Sequence, residues 1–145
     1  MINRRNAARA LIGACGPVAL VGWAAASPAS ATTGTTACPG GTVSAYNAAL
    51  VFSNRVGYIQ GKGAASCSGT WQVTTQVQES KDLGQTWTNY GASVTAPGGS
   101  LASAPCNGDT AIWRSAVKAV SGSQQYGAVT NPVGASTPFQ CQTSI

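Results

Sequence analysis

The sequence predicts an all-β protein, an antiparallel β-sandwich of about seven strands with two disulfides. Three observations lead to this prediction. Apolar and polar side chains alternate with a period of two along the clearest segments, and no apolar stripe with helical spacing has a useful length. Turn-forming residues separate these segments at short intervals. Short, regularly spaced strands of this kind are typical of sandwiches.

The first 31 residues are predicted to be a secretory signal peptide. A basic start with Arg4 and Arg5 precedes an apolar stretch, residues 10–26, and residues 29–31 are Ala-Ser-Ala. This order is that of a secretory signal, so cleavage is expected after Ala31. The apolar stretch contains glycines and a proline, unlike a membrane anchor. The mature protein is therefore expected to be secreted and free of the membrane, by the general or the twin-arginine export route.

The mature part is expected to be one domain, residues 38–145, after a flexible Thr-rich lead-in at residues 32–37. Its length suits one hydrophobic core. Five basic and three acidic residues follow Ala31, so the net charge is near +2 (five minus three). The basic residues are scattered, which is unlike the phosphate-binding stripe of a nucleic-acid-binding protein. No nucleic-acid partner is expected.

Four cysteines remain after the leader, at Cys38, Cys67, Cys106 and Cys141. An even number of cysteines in a small exported domain indicates disulfides. The cysteines are widely spaced and the chain has no histidine, so neither a metal site nor another cofactor is expected. Three pairings are possible. The preferred one joins Cys67 to Cys106, because each precedes a strand with a tryptophan, and leaves Cys38 with Cys141.

The strands are predicted from alternation and from the turns between them. In Trp71–Glu79 the residues Trp71, Val73, Thr75 and Val77 share one face, with Gln72, Thr74, Gln76 and Gln78 opposite. In Thr110–Val120, Trp113 and Val117 share a face, with Arg114 and Lys118 opposite. Five weaker strands are predicted: Thr42–Phe52, Val56–Gly61, Thr86–Val94, Ser100–Ala104 and Gln124–Thr130. From Asn131 onward, prolines and a glycine predict a loop or a protected edge.

The segment from Ile112-Trp113-Arg114 to Tyr126 resembles the last hairpin of fibronectin type III domains. In both, an aromatic–arginine strand passes through a turn of small residues into a final strand. The resemblance covers about 20 residues. It implies an immunoglobulin-like or fibronectin type III-like sandwich and implies nothing about a ligand.

One motif stands out between the predicted strands, where residues 80–87 are Ser-Lys-Asp-Leu-Gly-Gln-Thr-Trp. This segment resembles the Asp box of sialidases and other propeller proteins at Ser80, Asp82, Gly84, Thr86 and Trp87. Gly84 can adopt positive φ, Asp82 can accept hydrogen bonds from turn amides, and the Trp87 ring can cover the turn. The resemblance implies a structural hairpin and carries over no activity, since the chain has one copy and is too short for a propeller.

No catalytic site is expected, so the protein is not predicted to be an enzyme. Absent histidines exclude Ser–His and Cys–His schemes. Glu79 and Asp109 are the remaining candidates for a carboxylate pair. Trp71 and Trp113 share faces with valines and are expected in the core in preference to a sugar-stacking platform with Trp87. The faces of three tyrosines are left open: Tyr58, Tyr90 and Tyr126.

The leading hypothesis is a non-catalytic secreted binding or structural module that recognises an extracellular protein or glycan through a sheet face or loops. The residues that bind the ligand are left open, as are the roles of Arg55 and Arg114. One alternative is a secreted inhibitor that presents residues 104–107, by analogy with bacterial subtilisin inhibitors. Another is a carrier of an apolar small molecule, by architectural analogy with neocarzinostatin-type apoproteins.

Overall fold

The computed structural model describes residues 34–130 and 138–145. In these residues the chain forms nine strands and no helix. The strands are β1 (Gly34–Cys38), β2 (Gly41–Ser53), β3 (Val56–Ala65), β4 (Gln72–Ser80), β5 (Thr88–Pro97), β6 (Gly99–Pro105), β7 (Thr110–Ser121), β8 (Gln124–Val129) and β9 (Phe139–Gln140). The described part of the chain thus holds no helix that is long and apolar enough to span a membrane. The all-β prediction is confirmed.

Two antiparallel sheets pack face to face. The first sheet has the order β1-β2-β3-β6, and the second has the order β5-β4-β7-β8, with β9 added beside β7. The chain passes from the edge of one sheet to the edge of the other between β5 and β6. On the opposite side β1 lies along β8, where the Thr36 hydroxyl donates to the Gly127 carbonyl at 2.6 Å. Both open sides of the sandwich are therefore covered.

The seven predicted strands correspond to β2 through β8, with ends that differ by a few residues. The prediction of a flexible lead-in is wrong for residues 34–37, because these residues belong to β1. They pair with β2 from Gly34↔Ala45 to Cys38↔Gly41. The side chains of this segment are small or carry hydroxyls and show no strong apolar alternation. The strand is therefore held mainly by its backbone hydrogen bonds to β2. Residues 1–33, with the predicted cleavage site, and residues 131–137 lie outside the described residues.

The core consists of two apolar clusters between the sheets, each built around one tryptophan. Trp71 is 4% exposed and Trp113 is 3% exposed, which confirms that both are core residues. One cluster contains Val43, Ala45, Cys67, Trp71, Val73, Val117, Ala119 and Ala128. The other contains Ile59, Val77, Tyr90, Ala102, Ala104, Ala111, Trp113 and Cys141. The predicted inward face of β4 is buried as expected.

Between these clusters the sheets approach closely because β3 presents glycine there. A Cβ on Gly63 would lie 2.5 Å from a Val117 methyl and 2.7 Å from the Thr75 hydroxyl. The buried polar groups at this level are satisfied within the protein: Thr75 Oγ1 lies 2.7 Å from Ser100 Oγ, and Ser115 Oγ accepts from the backbone N–H of Lys62. Small residues thus set the local sheet separation.

The preferred disulfide pairing is wrong. The disulfides join Cys38 to Cys67 and Cys106 to Cys141. Because β3 pairs antiparallel with β6, Cys67 lies beyond the Gly99 end of β6 and Cys106 beyond its Pro105 end. The two are separated by about 20 Å of strand, far outside disulfide reach.

The observed pairs follow from the neighbours that the sheets bring together. Cys38 ends β1 at the turn into β2, and Cys67 follows β3, whose end pairs with the start of β2. Cys141 follows β9, which pairs with the start of β7 just after Cys106. Two disulfides are compatible with an extracellular protein.

Candidate functional site

A polar groove crosses the outer face of the second sheet. It has a volume of about 280 Å³ and is open to solvent. Its polar lining comes from β4, β5 and β7: Thr74, Gln76, Gln78, Asn89, Ser93 and Lys118. We refer to these six residues as the amide groove. The alternation of β4 explains it, because the residues between the buried Val73, Thr75 and Val77 must point outward.

Hydrogen bonds between strands fix several groove side chains. Thr74 Oγ1 and Thr95 Oγ1 lie 2.7 Å apart across β4 and β5. The side chain of Gln78 is held at both ends: its amide nitrogen donates to Asn89 Oδ1 at 3.0 Å, and its oxygen accepts from Arg114 Nε at 2.8 Å. The groove is therefore a preformed set of amides and hydroxyls.

A β-bulge shapes the middle of the groove. The pairing passes from Thr75↔Val94 to Val77↔Tyr90, so Gln76 faces three residues of β5. The Gln76 amide nitrogen lies 2.9–3.3 Å from the carbonyls of Val77, Tyr90 and Gly91. This side chain therefore links β4 to β5 at the point where the ladder between them is interrupted.

The motif at residues 80–87 forms the turn between β4 and β5. Ser80 Oγ donates to Asp82 Oδ1 at 2.7 Å and accepts from the Gly84 N–H at 2.7 Å. Asp82 also accepts from the N–H of Thr86 at 2.8 Å and from its hydroxyl at 2.5 Å. Gly84 has φ +90°, and the Trp87 indole N–H donates to its carbonyl at 3.1 Å. The hydrogen bonds from turn amides to Asp82 and the positive φ of Gly84, both expected from the sequence, are confirmed.

These bonds stabilise the ionised form of Asp82. The hydroxyl and the backbone N–H of Thr86, followed by the Ser80 hydroxyl, lower the pKa of Asp82 from 3.8 to about 2. The hydrogen bonds of this carboxylate thus lie within the turn, which they stabilise.

The turn also reaches the groove. Trp87 packs against the guanidinium of Arg114, with Arg114 Cζ 4.1 Å from the ring centroid. Arg114 in turn bonds Gln78, so a chain of contacts runs from the turn through Trp87 and Arg114 to the groove. The half-buried position of Arg114 lowers the pKa of its guanidinium, which remains charged.

Glu79 and Asp109, the carboxylate pair considered from the sequence, are brought together at the end of β4. Glu79 is 9% exposed, and burial, a hydrogen bond to Asp109 and the charge of Asp109 raise its pKa. Asp109 bonds Lys81 at 3.0 Å, which is the main cause of its lowered pKa. Carboxyls close enough to hydrogen-bond to each other are unlike the pair of a glycosidase, whose carboxyls stand about 5 Å or more apart.

The tyrosines left open by the sequence have different surroundings. Tyr90 is buried, stacks edge-on against Trp113 at 4.9 Å and donates to the Pro105 carbonyl at 2.7 Å. Tyr126 packs on Trp71 at 5.7 Å. Tyr58 is half-buried on β3. None of these tyrosines lines the amide groove.

The loop proposed for protease inhibition, residues 104–107, is held close to the sandwich. Ala104 is buried and pairs with Ile59, and Pro105 pairs with Tyr58. Cys106 is fixed by its disulfide to Cys141. A segment paired in a sheet does not project like a protease substrate, so this geometry does not favour the inhibitor hypothesis.

Arg55, whose role the sequence left open, lies in the turn between β2 and β3, away from the groove. It has φ 68°, and its carbonyl accepts from the N–H of Ile145. Within residues 34–130 and 138–145, no group of three or more Cys, Asp or Glu side chains could hold a metal ion.

The sequence interpretation missed the amide groove. It placed Thr74, Gln76 and Gln78 on the outward face of their strand, and the run of amides on that face was the available signal. The contributions of Asn89 and Lys118 depend on which strands flank β4, and this is a property of the sheet order.

No family model, no curated protein and no solved structure matches the chain.

Proposed function

We propose that the protein is a secreted, non-catalytic binding module that recognises a glycan through the amide groove. The observation that carries this proposal is the preformed polar network of Thr74, Gln78, Asn89 and Thr95 on an exposed sheet face. Amide and hydroxyl groups both donate and accept hydrogen bonds. They therefore suit the hydroxyls of a sugar, which have the same double capacity.

The chemistry of the groove favours a glycan over a protein. The centres of protein interfaces are apolar and rely on aromatic or arginine anchors in pockets. Besides its six polar residues the groove is lined by Ala116 and Val117, so it contains no aromatic or arginine anchor, and its volume of about 280 Å³ is just below the usual range of small-ligand sites. This size suits one or two sugar rings.

The fold type forms part of the proposal. The order β2-β3-β6 against β5-β4-β7-β8 supports an immunoglobulin-like sandwich in which these strands are A, B and E, and C′, C, F and G. The contacts of Ser80, Asp82, Thr86 and Trp87 support an Asp-box-type turn. In that interpretation the amide groove lies on the sheet that contains C, C′, F and G.

The test is binding of the full-length, oxidised protein to a panel of insoluble and soluble polysaccharides. Gln78→Ala and Asn89→Ala should each weaken binding about 10-fold, since each removes a fixed hydrogen-bonding group. Gln60→Ala is the matched control, because Gln60 is an outward amide on the first sheet that bonds Ser103. Equal losses in all three variants, or no saturable binding to any polysaccharide, would refute the proposal.

A further inference from the structure

We infer that the ligand of the amide groove is an acidic polysaccharide, whose negative groups bind Lys118 and Arg114. This inference rests on the proposed function and names the chemical class of the glycan.

Both cations lie on the outward face of β7. They are four residues apart, or about 13 Å along the strand. Lys118 lines the groove and is exposed. In the described part of the chain the sole ion pair is Lys81 with Asp109, so neither Lys118 nor Arg114 is neutralised by a carboxylate there.

The acidic side chains of the protein lie outside the groove. The chain has three acidic residues. Asp109 pairs with Lys81 at 3.0 Å and lies beside Glu79 at the end of β4. Asp82 accepts hydrogen bonds within its own turn. None of the three lines the groove. A face that presents two cations and no anion attracts negative ligands.

Arg114 is prepared for such a ligand. Its Nε is bound to Gln78 and its plane is covered on one side by Trp87, so the orientation of the guanidinium is fixed. Among the described residues, its hydrogen bond to a side chain uses Nε, and the Nη groups can donate to a carboxylate in forked geometry. Two cations about 13 Å apart call for a ligand with at least two negative groups, and a polymer of acidic sugars has such groups along its length.

The experiment compares polygalacturonate with its fully methyl-esterified form, which keeps the sugar hydroxyls and loses the charge. Alginate and hyaluronate serve as further acidic probes. Affinity is measured by titration calorimetry on the oxidised full-length protein at about 20 mM and about 300 mM NaCl, between which the Debye length falls from about 20 Å to about 6 Å. We expect at least one acidic polymer to bind about 10-fold more tightly than the neutral ester, and the difference to shrink in high salt.

Substitutions test which cationic side chains bind the acidic polymer. Lys118→Gln and Arg114→Gln should each weaken acidic-polymer binding about 10-fold, whereas Lys62→Gln on the first sheet should leave it unchanged. Lys118 is exposed, so its variant tests the inference even if Arg114→Gln is poorly folded; Arg114→Lys then tests the forked contact with the charge retained. Thermal unfolding verifies that each variant is folded.

The outcomes separate this inference from the proposed function. Groove-dependent binding of the neutral ester as tight as that of the acidic form overturns the acidic ligand and leaves the binding module standing. No binding of any polysaccharide overturns both. Binding of single-stranded DNA or an acidic peptide alone overturns both as well, because the ligand is then no glycan.

Discussion

Arg114 Cζ lies 4.1 Å from the centroid of the Trp87 ring, although the two residues come from different parts of the second sheet. Trp87 directly precedes β5 and Arg114 is in β7, so the contact crosses β4. It links the Asp82 turn to the amide groove, because Arg114 also donates to Gln78 at 2.8 Å. The turn therefore holds a groove side chain in place in addition to reversing the chain.

Replacing Trp87 by Ala should release Arg114. A cation–π contact contributes about 0.5–2 kcal/mol, so we expect a modest loss of unfolding free energy and a clear loss of affinity for acidic glycan. Trp87→Phe keeps an aromatic ring and should retain most of that affinity. Titration of both variants checks this, and equal affinities for the alanine and phenylalanine variants would argue against a positioning role.

The disulfides can be mapped by tryptic digestion of the unreduced protein. We expect one linked pair between the peptide that ends at Arg55, with Cys38, and residues 63–81, with Cys67. A second pair should join residues 82–114, with Cys106, to residues 119–145, with Cys141. Mass spectrometry identifies both. A link between residues 63–81 and 82–114 would contradict this connectivity.

Removal of either disulfide by paired Cys→Ser substitutions should destabilise the protein by up to about 4 kcal/mol, because the loops span 29 and 35 residues. Chemical denaturation with urea measures the loss. The other disulfide is the internal control, and an unchanged free energy of unfolding for both double variants would contradict the expectation.

The turn should weaken in acid through Asp82. Its pKa is lowered from 3.8 to about 2 in the folded protein. Its stabilising contribution is therefore present above pH 3.8 and is lost as pH falls towards 2. The free energy of unfolding should decrease over this window, and Asp82→Asn should lower stability at neutral pH and flatten the decrease.

Glu79 provides a check on this assignment, because its pKa is raised. Its contribution is fully present below pH 4.5 and is lost as pH rises through its folded pKa, in the opposite direction to that of Asp82. Glu79→Gln should therefore leave the acid-side decrease in place. Asp109, whose pKa is also lowered, contributes to the decrease with the same sign as Asp82. A decrease that persisted unchanged in Asp82→Asn would therefore assign it to Asp109 and contradict the assignment to Asp82.

Gly63→Ala should destabilise the core. The added Cβ would lie 2.5 Å from a Val117 methyl and 2.7 Å from the Thr75 hydroxyl, and overpacking of this kind costs about 1–3 kcal/mol. Gly127→Ala is the matched control, since its nearest neighbour is 3.6 Å away. Chemical denaturation measures the difference in unfolding free energy between the two variants. Equal stability of the two would contradict a close approach of the sheets at Gly63.

Much of the fold follows from local pattern. The alternation of β4 and β7 correctly separates buried from outward side chains, because strand geometry turns every second residue to the same face. The same logic identified Trp71 and Trp113 as core residues. Strand β1 was not predicted, because the alternation in Gly34–Cys38 is weak and the strand depends on its pairing with β2.

By itself, the sequence determined the all-β class, seven of the strands and the faces of the two clearest ones, since these depend on neighbours a few residues apart. It also identified the turn at Asp82, whose hydrogen bonds are local. The tertiary structure decided the cysteine pairing, the meeting of Glu79 with Asp109, and the position of Arg114 between Trp87 and Gln78. These depend on the order and register of strands distant in the chain, and many orders are compatible with one alternating pattern until the two sheets pack.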